Sequence, residues 1–135
     1  MDSRYMVHKI IHRQLFHIAR MKSYVNYSVI GPLIGLTDMS KPEQREKISN
    51  ILTDIDIEEH GWEHPLLSAV VILAERNMPG DGFFKIARKL GRYHGKKDDL
   101  KFWLGELRRV HDFDWPEPDS ASDPPVSPPD TPQAV

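Results

Sequence analysis

The sequence predicts a mainly helical α+β domain with one or two short strands and a disordered C-terminal tail. Several segments repeat apolar residues every three or four positions, the spacing of an amphipathic helix. One run, residues 66–74, is apolar except for Ser68 and contains two valines and an isoleucine, which is typical of a buried strand. Residues 116–135 hold seven of the eleven prolines and four acids but no aromatic residue. We therefore expect one compact domain over residues 1–115 and a disordered, proline-rich acidic tail over 116–135.

The first predicted helix covers residues 5–21, because apolar residues recur along one face and basic residues along the other. The expected buried residues of this helix are Val7, Ile10, Ile11, Leu15, Ile18 and Met21. A second helix, capped by Asn26 or Ser28, is expected to run to residue 36. Pro32 lies within it, so this helix must be short or kinked.

The third predicted helix begins near Ser40 and ends at Gly61. Pro42 falls in its first turn, and Glu43 lies three residues after Ser40, as in a capping box. The expected buried stripe of this helix is Ile48, Ile51, Leu52 and Ile55.

After the predicted strand, Pro79 and two glycines mark a tight turn, with Asp81 as the expected helix cap. Two further helices are predicted, over residues 83–90 and 98–111. The side chains expected to complete the core here are Leu100, Trp103, Leu104, Leu107, Val110, Phe113 and Trp115.

Cysteine is absent, which excludes disulfides, thiolate metal sites and thiol nucleophiles. No window is apolar enough for a membrane span, and the N-terminal residues do not form a secretory signal. We therefore expect a cytoplasmic protein without a membrane partner. No motif indicates a cofactor, and the sequence does not indicate an oligomeric state.

The charges are segregated along the chain. Without the four acids of the tail, the remainder carries 18 basic and 16 acidic residues. Residues 85–111 alone have nine basic and three acidic residues, whereas residues 23–84 have four and ten. A basic helix edge can meet nucleic-acid phosphates, although such an edge is often only a solvated face. The predicted contacts are Lys85, Arg88, Lys89, Arg92, Lys96 and Lys97, with Tyr93 and His94 placed to stack and Arg13 and Arg20 as additions.

An acidic cluster supplies the alternative of a metal-dependent hydrolase. Asp56 would share a helix face with Glu59 or His60, and Asp54 lies nearby. A solvated helix face is the competing interpretation, and we assign no metal ligands or catalytic residues. His8 and His12 are four residues apart, but Lys9 stands where a zinc protease would need glutamate.

A tyrosine-led segment ends in Ile34-Gly35-Leu36, and a predicted helix follows it. Further along the chain come Pro65, Val70-Val71, the Gly80–Gly82 turn, Lys101-Phe102-Trp103-Leu104 and Glu106. In these features the chain resembles the winged-helix DNA-binding domain of the alkylguanine DNA alkyltransferases and alkyltransferase-like proteins, and this resemblance implies DNA contact. The family's Pro-Cys-His-Arg site falls on Leu66, Leu67, Ser68 and Ala69. Because the reactive cysteine is missing, the resemblance implies a DNA-contacting module without alkyl transfer.

The sequence therefore predicts a small winged-helix-like protein that acts by binding rather than by catalysis, with DNA as the favoured partner. A protein–protein adaptor with charge-segregated faces is the first alternative, and it would expose an apolar patch. The hydrolase is the second, and it requires Asp54, Asp56, Glu59 and His60 to converge in one cleft.

Overall fold

The computed structural model describes residues 3–116, so the predicted tail lies outside the described residues except for Pro116. The helices are α1 (Ser3–Arg20), α2 (Tyr27–Ile30), α3 (Pro42–Gly61), α4 (Asp81–Lys89) and α5 (Asp99–Asp112). Two short strands, β1 (Val25–Asn26) and β2 (Val71–Ile72), and two 3-10 turns, Gly31–Ile34 and Leu67–Val70, complete the fold. The domain is mainly helical with a two-stranded sheet, which confirms the predicted class. No helix among these residues is long and apolar enough to cross a membrane.

The sheet joins two distant parts of the chain. Strands β1 and β2 are parallel, with Val25 opposite Val71 and Asn26 opposite Ile72. Beyond β2, an isolated antiparallel bridge links Leu73 to Met78 and closes the turn that leads to α4.

The strand predicted over residues 66–74 is wrong for most of its length, because residues 67–70 form a 3-10 turn. The predicted burial is confirmed for residues 66–72, whereas Leu73 is half-buried and Ala74 is exposed. Acidic side chains bind the backbone here. Glu106 accepts the Leu66 N–H at 2.8 Å, and Asp56 accepts the Ser68 N–H at 3.0 Å. These bonds satisfy buried N–H groups that a strand would pair in a ladder.

The core lies where α1, α3 and α5 pack around this buried segment. The predicted stripe of α3 is confirmed, because Ile48, Ile51, Leu52 and Ile55 are all buried. On α5 the prediction is partly wrong. Trp103, Leu107 and Val110 are buried, whereas Leu100 and Leu104 are 55% and 49% exposed. The indole of Trp103 donates to the Ala69 carbonyl at 2.8 Å, which turns that side of α5 toward the 3-10 turn and leaves the two leucines outside.

The N-terminal cap of α3 also differs from the prediction. Pro42 is in the first turn as expected, but Lys41 is the cap, without a side-chain bond. Ser40 instead bonds to the Asp38 carboxylate through both its hydroxyl and its N–H, which removes it from the capping position. Asn26 precedes α2 without a side-chain cap bond, and the helix tightens into the 3-10 turn that contains Pro32.

The chain closes against α1 through Trp115, which is 2% exposed. Its indole donates to the Val110 carbonyl at 2.7 Å, and Arg20 donates to its carbonyl at 3.1 Å. Phe113 packs on the Trp115 ring at 4.4 Å between ring centroids. The expectation that both aromatic residues help to close the core is confirmed, although Met21 at the end of the first apolar stripe is 66% exposed.

Candidate functional site

The basic edge of α4 lies beside an open groove of about 570 Å³ between α3 and α4. Phe83, Phe84 and Ala87 face the core, whereas Lys85 and Lys89, four residues apart, lie at the groove. Arg45 of α3 also lines it. Both lysines are exposed, and within the described part of the chain no hydrogen bond or ion pair holds either ammonium group. These two predicted contact residues are therefore accessible to an anion.

Arg88, by contrast, holds the loop that follows α4. Its Nε donates to the Gly95 carbonyl at 3.2 Å, and its guanidinium lies 4.6 Å from the centre of the Tyr93 ring. It also pairs with Asp99 at 3.5 Å, while 38% of the side chain stays exposed. Through these contacts Arg88 holds residues 93–99 against the start of α5.

Arg92 stabilises a buried carboxylate. Its Nη2 lies 3.0 Å from Oε2 of Glu106, whose side chain is only 1% exposed. Arg109 approaches the other oxygen of Glu106 at 3.2 Å, and Arg92 also donates to Nδ1 of His60 at 3.3 Å. A buried carboxylate without such partners is strongly destabilising, so Arg92 has a structural function.

The loop after α4 presents two more predicted contacts. Lys96 and Lys97 are exposed, and within the described side chains neither has a hydrogen bond or ion pair. His94 beside them is also exposed. Tyr93 is buried and stacks on Phe102 with centroids 4.5 Å apart, so the prediction that Tyr93 is placed to stack on a base is wrong.

The groove itself combines polar walls with an apolar floor. Ser49, Asn50 and Thr53 of α3 form one wall, and the beginning of α4 forms the other. Tyr27 and Leu73 lie beneath them.

Two glycines allow the start of α4 to lie close to its neighbours. A Cβ added to Gly82 would overlap the Ser49 hydroxyl, and one on Gly80 would lie 3.2 Å from a methyl group of Leu73. The predicted cap is wrong by one residue, since Gly80 is the N-cap and Asp81 is the first helical residue. The Asp81 carboxylate pairs instead with Arg76 at 2.7 Å.

The acidic residues of α3 do not converge on one cleft. Asp54 pairs with His8 at 3.0 Å, Asp56 bonds to Ser68, and His60 accepts from Arg92. No group of three potential ligand side chains in the described residues has the geometry to hold a metal ion. The convergence that the hydrolase alternative requires is absent.

Asp56 is instead a buried polar centre with 0% exposure. Its two carboxylate oxygens meet the Ser68 N–H and hydroxyl. Burial raises the pKa of Asp56 to about 7 against the lowering effect of the Ser68 hydrogen bonds, and the Glu106 and Glu59 carboxylates add to the rise. The hydroxyl–carboxyl pair lies under the groove, beneath Tyr27 and Phe83, without room for a substrate.

Glu59 forms a second centre, between α1 and the loop after α3. His12 donates to one carboxylate oxygen at 2.7 Å and His64 to the other at 2.6 Å. Burial acts to raise the pKa of Glu59, but the two histidine hydrogen bonds outweigh it, and the pKa lies below its usual value. The His64 ring also contacts Phe113 and Trp115, so this centre anchors the end of the domain.

The burial of these carboxylates was not predicted from the sequence, although the helical spacing contained a signal for it. Asp56 and Glu59 continue the three-and-four spacing of Ile48, Leu52 and Ile55 along α3. Glu106 likewise falls between Trp103 and Val110 on α5. The spacing placed them on the inner face of each helix, and only their charge argued against it.

Comparison with known proteins found no matching protein-family model, no matching curated protein and no matching solved structure.

Proposed function

We propose that this protein is a non-catalytic DNA-binding module, with Lys85, Lys89, Lys96 and Lys97 as its phosphate contacts. The observation that supports this proposal is that all four ammonium groups are exposed, and none has a hydrogen bond or ion pair among the described side chains. Exposed lysines without internal partners can neutralise phosphates and release counterions, the main source of non-specific DNA affinity.

In this proposal Arg88 and Arg92 act indirectly. Arg88 ties the loop that carries Lys96 and Lys97 to α5, through Gly95 and Asp99. Arg92 fixes the end of α4 through Glu106. The lysines are therefore presented from ordered backbone, which reduces the entropy lost on binding.

The winged-helix resemblance and a cytoplasmic location are part of the same proposal. The resemblance is supported by the chain order of α1, β1, α2, α3, β2 and the turn that follows β2. The antiparallel bridge between Leu73 and Met78 closes that turn at the position where a wing would lie.

Fluorescence anisotropy with a labelled DNA duplex tests the proposal. Binding should weaken steeply between about 50 and 200 mM salt, and the logarithmic salt slope should fall by about two when two phosphate-contacting lysines are removed. Two double variants, Lys85→Ala with Lys89→Ala and Lys96→Ala with Lys97→Ala, should each show this loss.

The control is Lys41→Ala with Lys47→Ala, which removes the same charge from exposed positions near and within the first turns of α3. An equal loss in this control would mean that only net charge matters. No salt-dependent binding by the unaltered protein at about 50 mM salt would reject DNA binding.

An exposed apolar surface favours protein binding as the second candidate function. Leu100 and Leu104 lie four residues apart on α5, and Tyr24 packs edge-on against Trp103 of the same helix at 5.9 Å. Leu100, Leu104 and Tyr24 are each at least 49% exposed. If protein binding is the function, changing Leu100 and Leu104 to serine should abolish partner capture from a cell extract while leaving DNA binding unchanged.

A further inference from the structure

We infer that the α3–α4 groove is a binding site for an organic phosphomonoester of about nucleotide size. The inference does not depend on DNA binding, because it concerns a concave site and a dianionic group rather than a phosphodiester backbone. The shared chemistry is a terminal phosphate attached to an organic body, in a free nucleotide or at the phosphorylated end of a nucleic-acid strand.

The size and shape of the groove are the first support. Its volume of about 570 Å³ lies within the range of roughly 300 to 1,000 Å³ that ligand sites occupy. Its two walls belong to helices that pack directly on each other, so the site is preformed. Gly80 and Gly82 add no side chains to the wall at the start of α4, where Asp81 lies between them.

The charges of the lining residues favour a dianion. Arg45, Lys85 and Lys89 are the cations, and Glu46 and Asp81 are the acids. Arg76 pairs with Asp81 at 2.7 Å and offsets its negative charge. The other lining acid is Glu46, and the three lining cations outnumber it. A phosphomonoester carries about −1.5 to −2 charges at pH 7, which matches this balance better than the single charge of a phosphodiester.

Hydrogen-bond donors are available beside these cations. Arg45 is held in position by its Nη1 bond to the Met39 carbonyl at 2.9 Å, and the rest of its guanidinium can donate elsewhere. Asn50 and Thr53 add an amide and a hydroxyl on the same wall. The N-terminus of α4, which lines the groove through Gly80, Asp81 and Gly82, has no side-chain cap bond.

The floor of the groove suits the organic part of the ligand. Tyr27, which lines the groove, is 6% exposed. Leu73 and Ile86 add aliphatic surface beside the ring. A ligand with a planar or apolar body can therefore cover the floor while its phosphate lies between Lys85, Lys89 and Arg45.

Amide NMR spectra of the full chain test the inference, with Gly80 and Gly82 as reporters inside the groove. Adenosine 5′-monophosphate should shift both amide signals in a saturable way, whereas adenosine should not. The Lys85→Ala, Lys89→Ala variant should bind the nucleotide at least about tenfold more weakly, since two charge-assisted contacts are lost. The Lys96→Ala, Lys97→Ala variant should bind it normally, although it should lose DNA affinity. The inference and the DNA proposal can therefore fail separately.

A short oligonucleotide with and without a 5′-phosphate distinguishes the two sources of the phosphate. Saturable shifts with adenosine monophosphate identify a free nucleotide as a ligand, and shifts with the phosphorylated oligonucleotide alone identify a strand end. Either result supports the inference. The inference is overturned if neither adenosine monophosphate nor the phosphorylated oligonucleotide shifts the amide signals of Gly80 and Gly82. It is also overturned if adenosine shifts these signals as much as adenosine monophosphate does, or if both double-lysine variants lose nucleotide affinity to the same extent.

Discussion

Replacing Asp56 with asparagine should make the protein more stable at neutral pH, although it removes a buried hydrogen-bonded carboxyl. The pKa of Asp56 rises from 3.8 to about 7, chiefly because of burial. The native state therefore binds a proton that the unfolded state releases above about pH 4. The stability that this proton contributes is complete below pH 4 and is lost as pH rises toward 7 and beyond. The difference corresponds to a free energy on the order of 4 kcal/mol.

Asparagine reproduces the protonated form. Its Oδ1 accepts the Ser68 N–H as the carboxylate oxygen does, and its Nδ2 donates to the Ser68 hydroxyl. The Asp56→Asn variant should therefore keep the bond from the Ser68 N–H and replace the hydroxyl bond by one of the opposite direction, without the cost of an ionised group.

Urea unfolding followed by circular dichroism, from pH 4 to pH 8, measures this difference. The free energy of unfolding of Asp56→Asn minus that of the unaltered protein should rise with pH and approach about 4 kcal/mol at the upper end. The matched control is Asp54→Asn, also on α3, where the carboxylate is 60% exposed and pairs with His8. The free energy of unfolding of Asp54→Asn minus that of the unaltered protein should be small and should change little between pH 4 and pH 8. A uniform loss of stability in Asp56→Asn at every pH would show that the ionised carboxylate is the form that the fold requires, and would refute the reasoning.

Three further variants probe the remaining polar and close contacts. Glu59→Gln should lower the free energy of unfolding, measured with urea at pH 7, by about 2 to 4 kcal/mol. Because the pKa of Glu59 is lowered in the folded state, its carboxylate contributes stability that disappears as pH falls, and this variant should lose less stability on acidification. Gly82→Ala should lower the free energy of unfolding by about 1 to 3 kcal/mol, since its Cβ overlaps the Ser49 hydroxyl, and adding Ser49→Ala should recover most of it. Arg92→Ala should lower the free energy of unfolding by about 3 to 5 kcal/mol, because it removes the cation closest to the buried Glu106 carboxylate.

The controls for these variants come from nearby positions. Arg109 also pairs with Glu106, but its side chain is 63% exposed, so Arg109→Ala should cost less than about 1 kcal/mol. Gly105 lies within α5, where an added Cβ would make only an ordinary contact at 3.8 Å. Gly105→Ala should therefore stabilise the helix by about 0.5 to 1 kcal/mol. A loss as large as that of Arg92→Ala or Gly82→Ala would contradict the assigned contacts.

The candidate groove was only partly foreseeable. The four-residue spacing of Lys85 and Lys89, which can be read from the sequence, places them on one helix edge. Arg45 and Ser49 join them only because α3 packs on α4, forty residues later in the chain. The same packing explains why residue 82 is glycine, since a Cβ there would overlap Ser49 of the neighbouring helix. This is a contact between two helices and not a local conformational preference.

The sequence by itself determined the helices, because amphipathic spacing is a local property that survives in any fold with one core. It thereby fixed the burial of Ile48, Ile55 and Val110. Only the tertiary structure decided the conformation of residues 66–74 and which charged side chains are buried. A short apolar run satisfies its backbone through whatever partners surround it, and here Asp56 and Glu106 supply the acceptors. A carboxylate becomes a core residue only where partners from other elements meet it, and no local pattern contains those partners.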